Sequence, residues 1–133
     1  MIRFAALALV ACAHVTPPPP AEKFSQSNET GQVVAIDHVV VDGYVTIVDF
    51  WSESCGACSV VGGMTAVAIA KVPGVVLRKI DVGDGFTPVA KQYAIGALPH
   101  YQVYDRQKRL RYDLVGNDCL QAASYAAQLL REP

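Results

Sequence analysis

The sequence carries little charge. Only 17% of its 133 residues are Asp, Glu, Lys or Arg, and 11 basic against 12 acidic side chains leave a formal net charge of −1. A protein that binds nucleic acid or an anionic membrane surface through charge needs a clustered basic excess. The composition therefore disfavours polyanion binding, and no nucleic-acid partner is expected.

Cysteine is also scarce, and no apolar run is long enough to cross a membrane. Four cysteines in 133 residues are too few for a disulfide scaffold. The longest unbroken apolar run, residues 4–13, is about half of the ~20 residues that a spanning helix needs. With 52% hydrophobic residues the chain can build one packed core, so a single folded domain is expected.

The N-terminus has the composition of an export signal. A positive charge at Arg3 precedes the apolar residues 4–11, and Leu9-Val10-Ala11-Cys12 resembles the lipobox of bacterial lipoproteins. This resemblance implies a signal peptide over residues 1–11, a lipid on Cys12, and a protein anchored to a bacterial membrane and facing the periplasm. A wrongly assigned start codon or a buried first strand would explain the same apolar residues.

Residues 12–32 are expected to form a linker. Four consecutive prolines at 17–20 favour stiff polyproline II structure, and residues 21–32 contain only Phe24 as a large apolar side chain. A disordered tail without an anchor is the alternative. The folded domain is expected to span residues 33–133.

Strand and helix patterns alternate through this domain, which indicates an α/β fold. Strands are predicted over residues 33–36, 39–41, 45–51, 75–82, 101–104 and 110–115, and helices over 59–71, 89–93 and a closing segment capped by Asn117 or Asp118. Thr87 and Pro88 supply the N-cap and the first position of the second helix.

Asp49 is the anomaly in this pattern. The strand at 45–51 carries apolar side chains on both faces, so it is expected to be buried on both sides. A carboxylate there is costly unless it is paired, protonated or used in chemistry.

Cys55 and Cys58 are the strongest candidates for chemistry. Two cysteines at i and i+3 of a helix start suit thiol–disulfide exchange, because the unpaired N–H groups and the helix dipole favour the thiolate of the first. The same spacing serves as half of a zinc site. No second pair exists, and His14, His38 and His100 show no ligand spacing to the first, so no metal is expected.

Three segments of the sequence resemble the thioredoxin family. Residues 48–58, V-D-F-W-S-E-S-C-G-A-C, look like its V-D-F-W-A-x-x-C-G-P-C active-site strand and turn. Residues 91–99, K-Q-Y-A-I-G-A-L-P, look like its K-Y-x-I-x-x-x-P segment, and Val115-Gly116 looks like the V-G before its last helix. The resemblance covers roughly residues 33–130 and implies a thioredoxin-like fold: a central mixed sheet of four to five strands flanked by helices.

The resemblance also implies a role for each matching residue. Cys55 would be the nucleophile, Cys58 the resolving thiol, and Asp49 the buried carboxyl that manages the proton of Cys58. Lys79 would pair with Asp49 across neighbouring strands, with one residue of register open, and Pro99 would be cis beside a bound substrate strand. The other substrate-binding positions implied are Trp51, which would pack beneath the active-site turn, Gly56, Ala57, Leu98 and Gly116.

Departures from the family pattern leave the redox direction open. Ala57 replaces a proline, Ser54 replaces the usual aromatic or small residue, and Gly63 lies where many members have a kinking proline. Each departure can change the stability of the thiolate, on which the redox potential depends.

Two further residues have open roles. His100 could hydrogen-bond near Cys55, or it could be exposed to solvent. Cys119 is expected to be a buried structural thiol, with a regulatory mixed disulfide or a link between two chains as alternatives.

The sequence thus predicts a membrane-anchored thiol–disulfide oxidoreductase that acts on protein disulfides or thiols and exchanges electrons with an unidentified redox partner. Reductase, oxidase and isomerase directions stay open, no cofactor is required, and a monomer is expected. Two alternatives remain. One is a redox-inactive module that binds extended peptides beside Pro99, and the other is a Cu(I)-handling protein that uses Cys55, Cys58 and His100.

Overall fold

The computed structural model describes residues 20–133, which form a five-stranded sheet. Its strands are β1 (Phe24–Gln26), β2 (Val45–Trp51), β3 (Val75–Asp81), β4 (His100–Tyr104) and β5 (Leu110–Val115). They lie in the order β1-β3-β2-β4-β5; β1 and β2 run parallel to β3, whereas β4 is antiparallel to both β2 and β5. The mixed α/β sheet predicted from the sequence is confirmed.

Helices flank this sheet, and one of them begins at the cysteine pair. They are α1 (Ile36–Val39), α2 (Gly56–Ile69), α3 (Pro88–Gln92), a 3₁₀ helix (Gly116–Gln121) and α4 (Ala122–Leu129). The start of α3 is as predicted, because the Thr87 hydroxyl accepts a hydrogen bond from the Ala90 N–H and Pro88 occupies the first position. None of the helices within residues 20–133 is long and apolar enough to span a bilayer.

Strand β2 lies at the centre of the fold, and both of its faces are buried. Val45 and Ile47 pack into one core with α2 and α4, and Val48 and Phe50 pack into a second core with α1 and α3. All four side chains are fully buried. Because side chains alternate along a strand, β2 delivers Asp49 into the first of these two cores.

The N-terminal boundary of the domain differs from the sequence prediction. A linker is predicted up to residue 32, but Phe24–Gln26 forms the edge strand β1. The Leu77 N–H donates to the Lys23 carbonyl at 2.9 Å, and the Ser27 N–H donates to the Lys79 carbonyl at 2.8 Å. An edge strand can be held by backbone hydrogen bonds with few apolar side chains, so composition alone misses it. The predicted signal peptide and Cys12 lie outside the described residues.

The predicted strands at 33–36 and 39–41 are wrong. Residues 36–39 form the single turn α1, and Val39 and Val40 pack into the core beside β2. β-branched residues predict strands, but here their burial against neighbouring elements decides the local conformation.

The predicted cap of the closing helix is also wrong. The chain leaves β5 through Gly116 at φ +64°, a left-handed conformation that favours glycine, and continues as the 3₁₀ helix. Helix α4 begins only at Ala122, and its N-cap Gln121 already has helical dihedral angles and makes no side-chain cap.

Candidate active site

Cys55 and Cys58 form a disulfide at the start of α2. Cys55 is the N-cap of the helix and is partly exposed, whereas Cys58 is buried in the first turn with 2% of its surface accessible. The Cys58 N–H points at the Cys55 sulfur at 3.1 Å. That N–H and the helix dipole would stabilise a negative charge on Cys55 once the disulfide is reduced.

No charged side chain of α2 adds to this effect. The helix contains neither acidic nor basic residues, so its own contribution to the charge on Cys55 comes from the backbone. Gly56 and Ala57, which form the turn between the two cysteines, are exposed to solvent.

A groove of about 490 Å³ opens beside Cys55. Its lining consists of Ser52, Ser54 and Cys55, of residues 82–86, and of residues 95–98. The Leu98–Pro99 peptide bond at its end is cis, as predicted. The Gly116 N–H donates to the Pro99 carbonyl at 2.8 Å, so the loop that ends in Pro99 is tied to the end of β5.

Asp49 is buried under α2, close to Gly62, with 0% exposure, and neither of its oxygens has a hydrogen-bond partner among the described residues. Burial raises the pKa of this carboxyl to about 7, although the nearby Lys79 charge and the Tyr101 hydroxyl oppose the rise. A carboxyl with a pKa near neutrality can both accept and return a proton under physiological conditions. The buried carboxyl predicted from the sequence is therefore present, and its role as a proton carrier stays a prediction.

Lys79 lies opposite Asp49 in the pairing of β2 with β3, which settles the open register. Its ammonium group is 4.1 Å from the centroid of the Trp51 ring and makes no hydrogen bond to the Asp49 carboxyl. Lys79 and Asp49 thus interact electrostatically without a direct hydrogen bond, and the Lys79 ammonium group makes a cation–π contact with Trp51.

The Trp51 side chain reaches from the central strand β2 toward the edge strand β1. Its indole N–H donates to Gln26 of β1 at 3.2 Å. The packing of Trp51 therefore involves β1 and Lys79, neither of which the sequence analysis placed around this ring.

His100 does not behave as either of the predicted alternatives. It is 8% exposed, hydrogen-bonds through Nε2 to the Asp113 carboxylate, and meets Phe50 edge to face at 5.7 Å between ring centroids. These contacts tie His100 to β5 and to the second core, so it is neither solvent-exposed nor paired with Cys55.

Cys119 is a free, fully buried thiol. Its sulfur lies 3.5 Å from the Pro99 carbonyl and 3.4 Å from the Leu114 carbonyl, and burial raises its pKa to about 11. The predicted structural thiol is confirmed; a mixed disulfide on Cys119 would require the 3₁₀ helix to open.

Sequence reasoning missed four residues around the site. Tyr101 of β4 pairs directly with Asp49 of β2, and Gly62 and Thr65 of α2 face the same buried layer. Phe86, on the loop that lines the groove, is 80% exposed. The signal for Tyr101 is its position two residues after Pro99, but strand register is needed to place it beside Asp49.

Among residues 20–133 no cluster of three or more His, Cys, Asp and Glu side chains is arranged to hold a metal ion.

The comparisons with known proteins agree with one another. The sequence model of the family Thioredoxin matches residues 28–126. The thioredoxin of Mycoplasma pneumoniae is 37% identical over 60 residues, which cover 45% of this chain and 58% of that protein. Bovine mitochondrial thioredoxin is 36% identical over 64 residues, 47% of this chain and 38% of that protein. The chain thus spans about half the length of the curated relatives it matches.

Solved structures show the same fold. The germline-specific thioredoxin Deadhead of Drosophila melanogaster superposes with a TM-score of 0.55 and 26% sequence identity, covering 66% of this chain and 83% of that one. Chlamydomonas reinhardtii thioredoxin f2 superposes with a TM-score of 0.56 over 69% of this chain and 83% of that one, at 20% identity.

Proposed function

The chain belongs to the thioredoxin family, and on that premise we propose that it is a thiol–disulfide oxidoreductase that acts on protein disulfides. The observation that carries the proposal is the Cys55–Cys58 disulfide, which lies at the start of α2 and at the rim of an open groove, while the same helix covers a buried carboxyl. A pure peptide-binding module has no use for a buried carboxyl without hydrogen-bond partners, because such a group only lowers stability.

The first step in the reductive direction belongs to Cys55. Its thiolate attacks one sulfur of a substrate disulfide, a new S–S bond forms between Cys55 and that sulfur, and the other substrate sulfur leaves with the electron pair and takes a proton from solvent. Cys55 suits this step because it is the more exposed sulfur and faces the groove.

The second step belongs to Cys58. Its thiol gives its proton to the Asp49 carboxylate, and the resulting thiolate attacks the Cys55 sulfur. The Cys55–Cys58 bond forms, and the second substrate sulfur leaves as a thiolate. The substrate has gained two electrons and the protein has lost two, so a dithiol partner must reduce Cys55–Cys58 before the next cycle.

The groove beside Cys55 can hold an extended segment of a protein substrate. Residues 95–98 precede the cis bond and run alongside Cys55, where their backbone can pair with an extended segment that carries the disulfide. We propose that this segment would also contact Leu98, Gly56, Ala57 and Gly116, as the family resemblance implies.

Cysteine variants test the proposal. In Cys55→Ser, reduction of a disulfide-bonded protein substrate by dithiothreitol should fall to the uncatalysed rate. In Cys58→Ser, the first step should proceed and the second should stop, so a mixed disulfide between Cys55 and the substrate should accumulate on a non-reducing gel and in a mass spectrum. Full activity of Cys55→Ser would contradict the mechanism.

We also propose that the domain is attached to a bacterial membrane. Cys12 would carry a lipid, and residues 13–21 would form the spacer, because Glu22 and Lys23 already bind β3 and its neighbours. Nine residues could reach roughly 28 Å at ~3.1 Å per residue if fully extended. Expressed in a bacterium, the full chain should sediment with membranes, and Cys12→Ala should release it. Equal sedimentation of the two proteins would contradict the anchor.

A further inference from the structure

Three buried polar atoms lack a hydrogen-bond partner among the described residues, and all three belong to one strand pair. They are both carboxyl oxygens of Asp49 and the hydroxyl oxygen of Tyr101. Asp49 of β2 and Tyr101 of β4 are direct partners in the antiparallel register, and both have 0% exposure. Side chains of directly paired residues project to the same face of a sheet, so the hydroxyl and the carboxyl share one dry layer.

Helix α2 covers this layer with the face that also carries Cys58. A Cβ at Gly62 would lie 3.4 Å from Asp49 Oδ2 and 3.9 Å from the Tyr101 hydroxyl, so both groups reach the backbone of α2 at this position. Gly62 is four residues after Cys58 and therefore lies one turn further along the same helix face. The buried sulfur of Cys58 and the Asp49–Tyr101 pair thus occupy adjacent positions under α2.

The remaining polar groups around the pair leave Tyr101 as the donor best placed for the carboxylate. Lys79 faces Asp49 from β3, but its ammonium group lies over the Trp51 ring. Thr65 faces the Tyr101 hydroxyl from α2, and Cys119 faces the layer from the 3₁₀ helix with a thiol that stays protonated.

The Tyr101 hydroxyl keeps its proton at every physiological pH. Burial and the Asp49 charge raise the pKa of Tyr101 well above its usual value. Tyr101 can therefore donate a hydrogen bond but does not compete with Asp49 as a base.

We propose that Tyr101 is a positioning residue for the proton transfer from Cys58: its hydroxyl donates to the Asp49 carboxylate and holds that carboxylate in the charged form that accepts the proton. The inference rests on the proposed function, in which Cys58–SH and Asp49–COO⁻ become Cys58–S⁻ and Asp49–COOH. Tyr101 exchanges no proton in this step. When the carboxyl becomes neutral, the stabilisation by the hydrogen bond falls, which favours return of the proton in the reverse direction.

Tyr101→Phe removes this donor and keeps the ring that fills the core. Without it, the charged form of Asp49 loses a hydrogen bond to an ion, and the pKa of Asp49 should rise by about one unit, a tenfold change in its proton affinity. The matched control is Tyr104→Phe. Tyr104 is in the same strand and is buried, but it belongs to the second core and its hydroxyl donates to Gln102 at 2.8 Å.

Two measurements on the full chain test the inference. The first is an NMR titration of the Asp49 side-chain carboxyl in the reduced protein; the midpoint should move up by about one pH unit in Tyr101→Phe and stay in place in Tyr104→Phe. The second is the pH profile of disulfide reduction. Below pH 7 the rate of Tyr101→Phe should fall about tenfold relative to the unsubstituted protein, and the two profiles should converge at alkaline pH.

An Asp49→Asn background separates positioning from packing. There Tyr101→Phe should cause no further loss of rate, because no carboxylate remains to be held. The inference would be overturned if Asp49 titrated with the same midpoint in the unsubstituted protein and in Tyr101→Phe. It would also be overturned if Tyr101→Phe lowered the rate equally at every pH, or lowered it as much in the Asp49→Asn background as in the unsubstituted protein. If Tyr101→Phe folds poorly, Tyr101→Leu, which also removes the hydroxyl, must raise the Asp49 midpoint likewise. The titration needs no catalysis, so it decides the inference even if every variant, and the unsubstituted protein, fails to exchange disulfides.

Discussion

Asp49 lies in a layer that excludes water. Its buried carboxyl lowers the free energy of unfolding when it is charged, so this loss depends on its protonation. Its pKa is raised to about 7 from an ordinary value of 3.8 because burial penalises the charged form. Between these two values the folded protein holds a proton that the unfolded chain has already released. Stability therefore falls as the pH rises through this window, and the full cost is present above pH 7.

Asp49→Asn should remove this pH dependence. Asn stays neutral, so relative to the variant the unsubstituted oxidised protein should lose stability from pH 4 to pH 8, by up to about 4 kcal/mol at ~1.4 kcal/mol per pKa unit. Unfolding in denaturant at pH 4, 6 and 8 gives the free energy of each protein. If the free energy of unfolding changed with pH in the same way for both proteins, folding would not raise the pKa of Asp49, and the prediction would be wrong.

The sequence predicts the residues of the site better than their contacts. Spacing identifies Cys55 and Cys58, and a carboxylate within an apolar strand identifies Asp49. Family resemblance identifies Pro99. Tyr101 could not be found in this way, because its role depends on the register between β2 and β4, which the sequence pattern does not specify.

At the scale of elements, β1 links the N-terminal segment to the active-site half of the sheet. It pairs with β3 from Leu77 to Lys79, and Gln26 accepts the hydrogen bond of the Trp51 indole. Just before β1, the Glu22 carbonyl accepts from the guanidinium group of Arg78, which is 8% exposed, at 2.9 Å. This segment therefore completes the fold, even though its composition is that of a linker.

A truncation tests this assignment. A fragment of residues 33–133 lacks β1 and exposes the edge of β3, and it loses the hydrogen bonds that β3 makes to Glu22, Lys23 and Ser27. It should therefore be about 3 kcal/mol less stable than a fragment of residues 20–133, at ~1 kcal/mol for each of these three hydrogen bonds. Denaturant unfolding compares the two. Equal stabilities would restore the boundary predicted from the sequence.

The elements that sequence reasoning identified share a strong local signal. Strands β2 and β3 are rich in Val and Ile, and α3 carries its own cap and proline. The elements that it missed, β1 and α1, have three and four residues, and their conformation is decided by what they pair with or pack against.

At the scale of the whole molecule, the fold places three kinds of group at increasing depth. The exposed groove and Cys55 lie at the surface, Cys58 lies beneath them, and Asp49 lies in the core with Tyr101 beside it. Electrons exchange at the surface while the accompanying proton can be stored in a dry interior, so a substrate needs to reach only one sulfur.

The most direct test of this account is the redox equilibrium of the cysteines in the full chain. The protein is equilibrated in graded dithiothreitol or glutathione buffers, and free thiols are counted by alkylation and mass spectrometry. We predict one reversible two-electron transition in which Cys55 and Cys58 gain label together; a midpoint near about −270 mV would mark a reductant and one near about −120 mV an oxidant. The absence of any reversible Cys55–Cys58 transition would contradict the account.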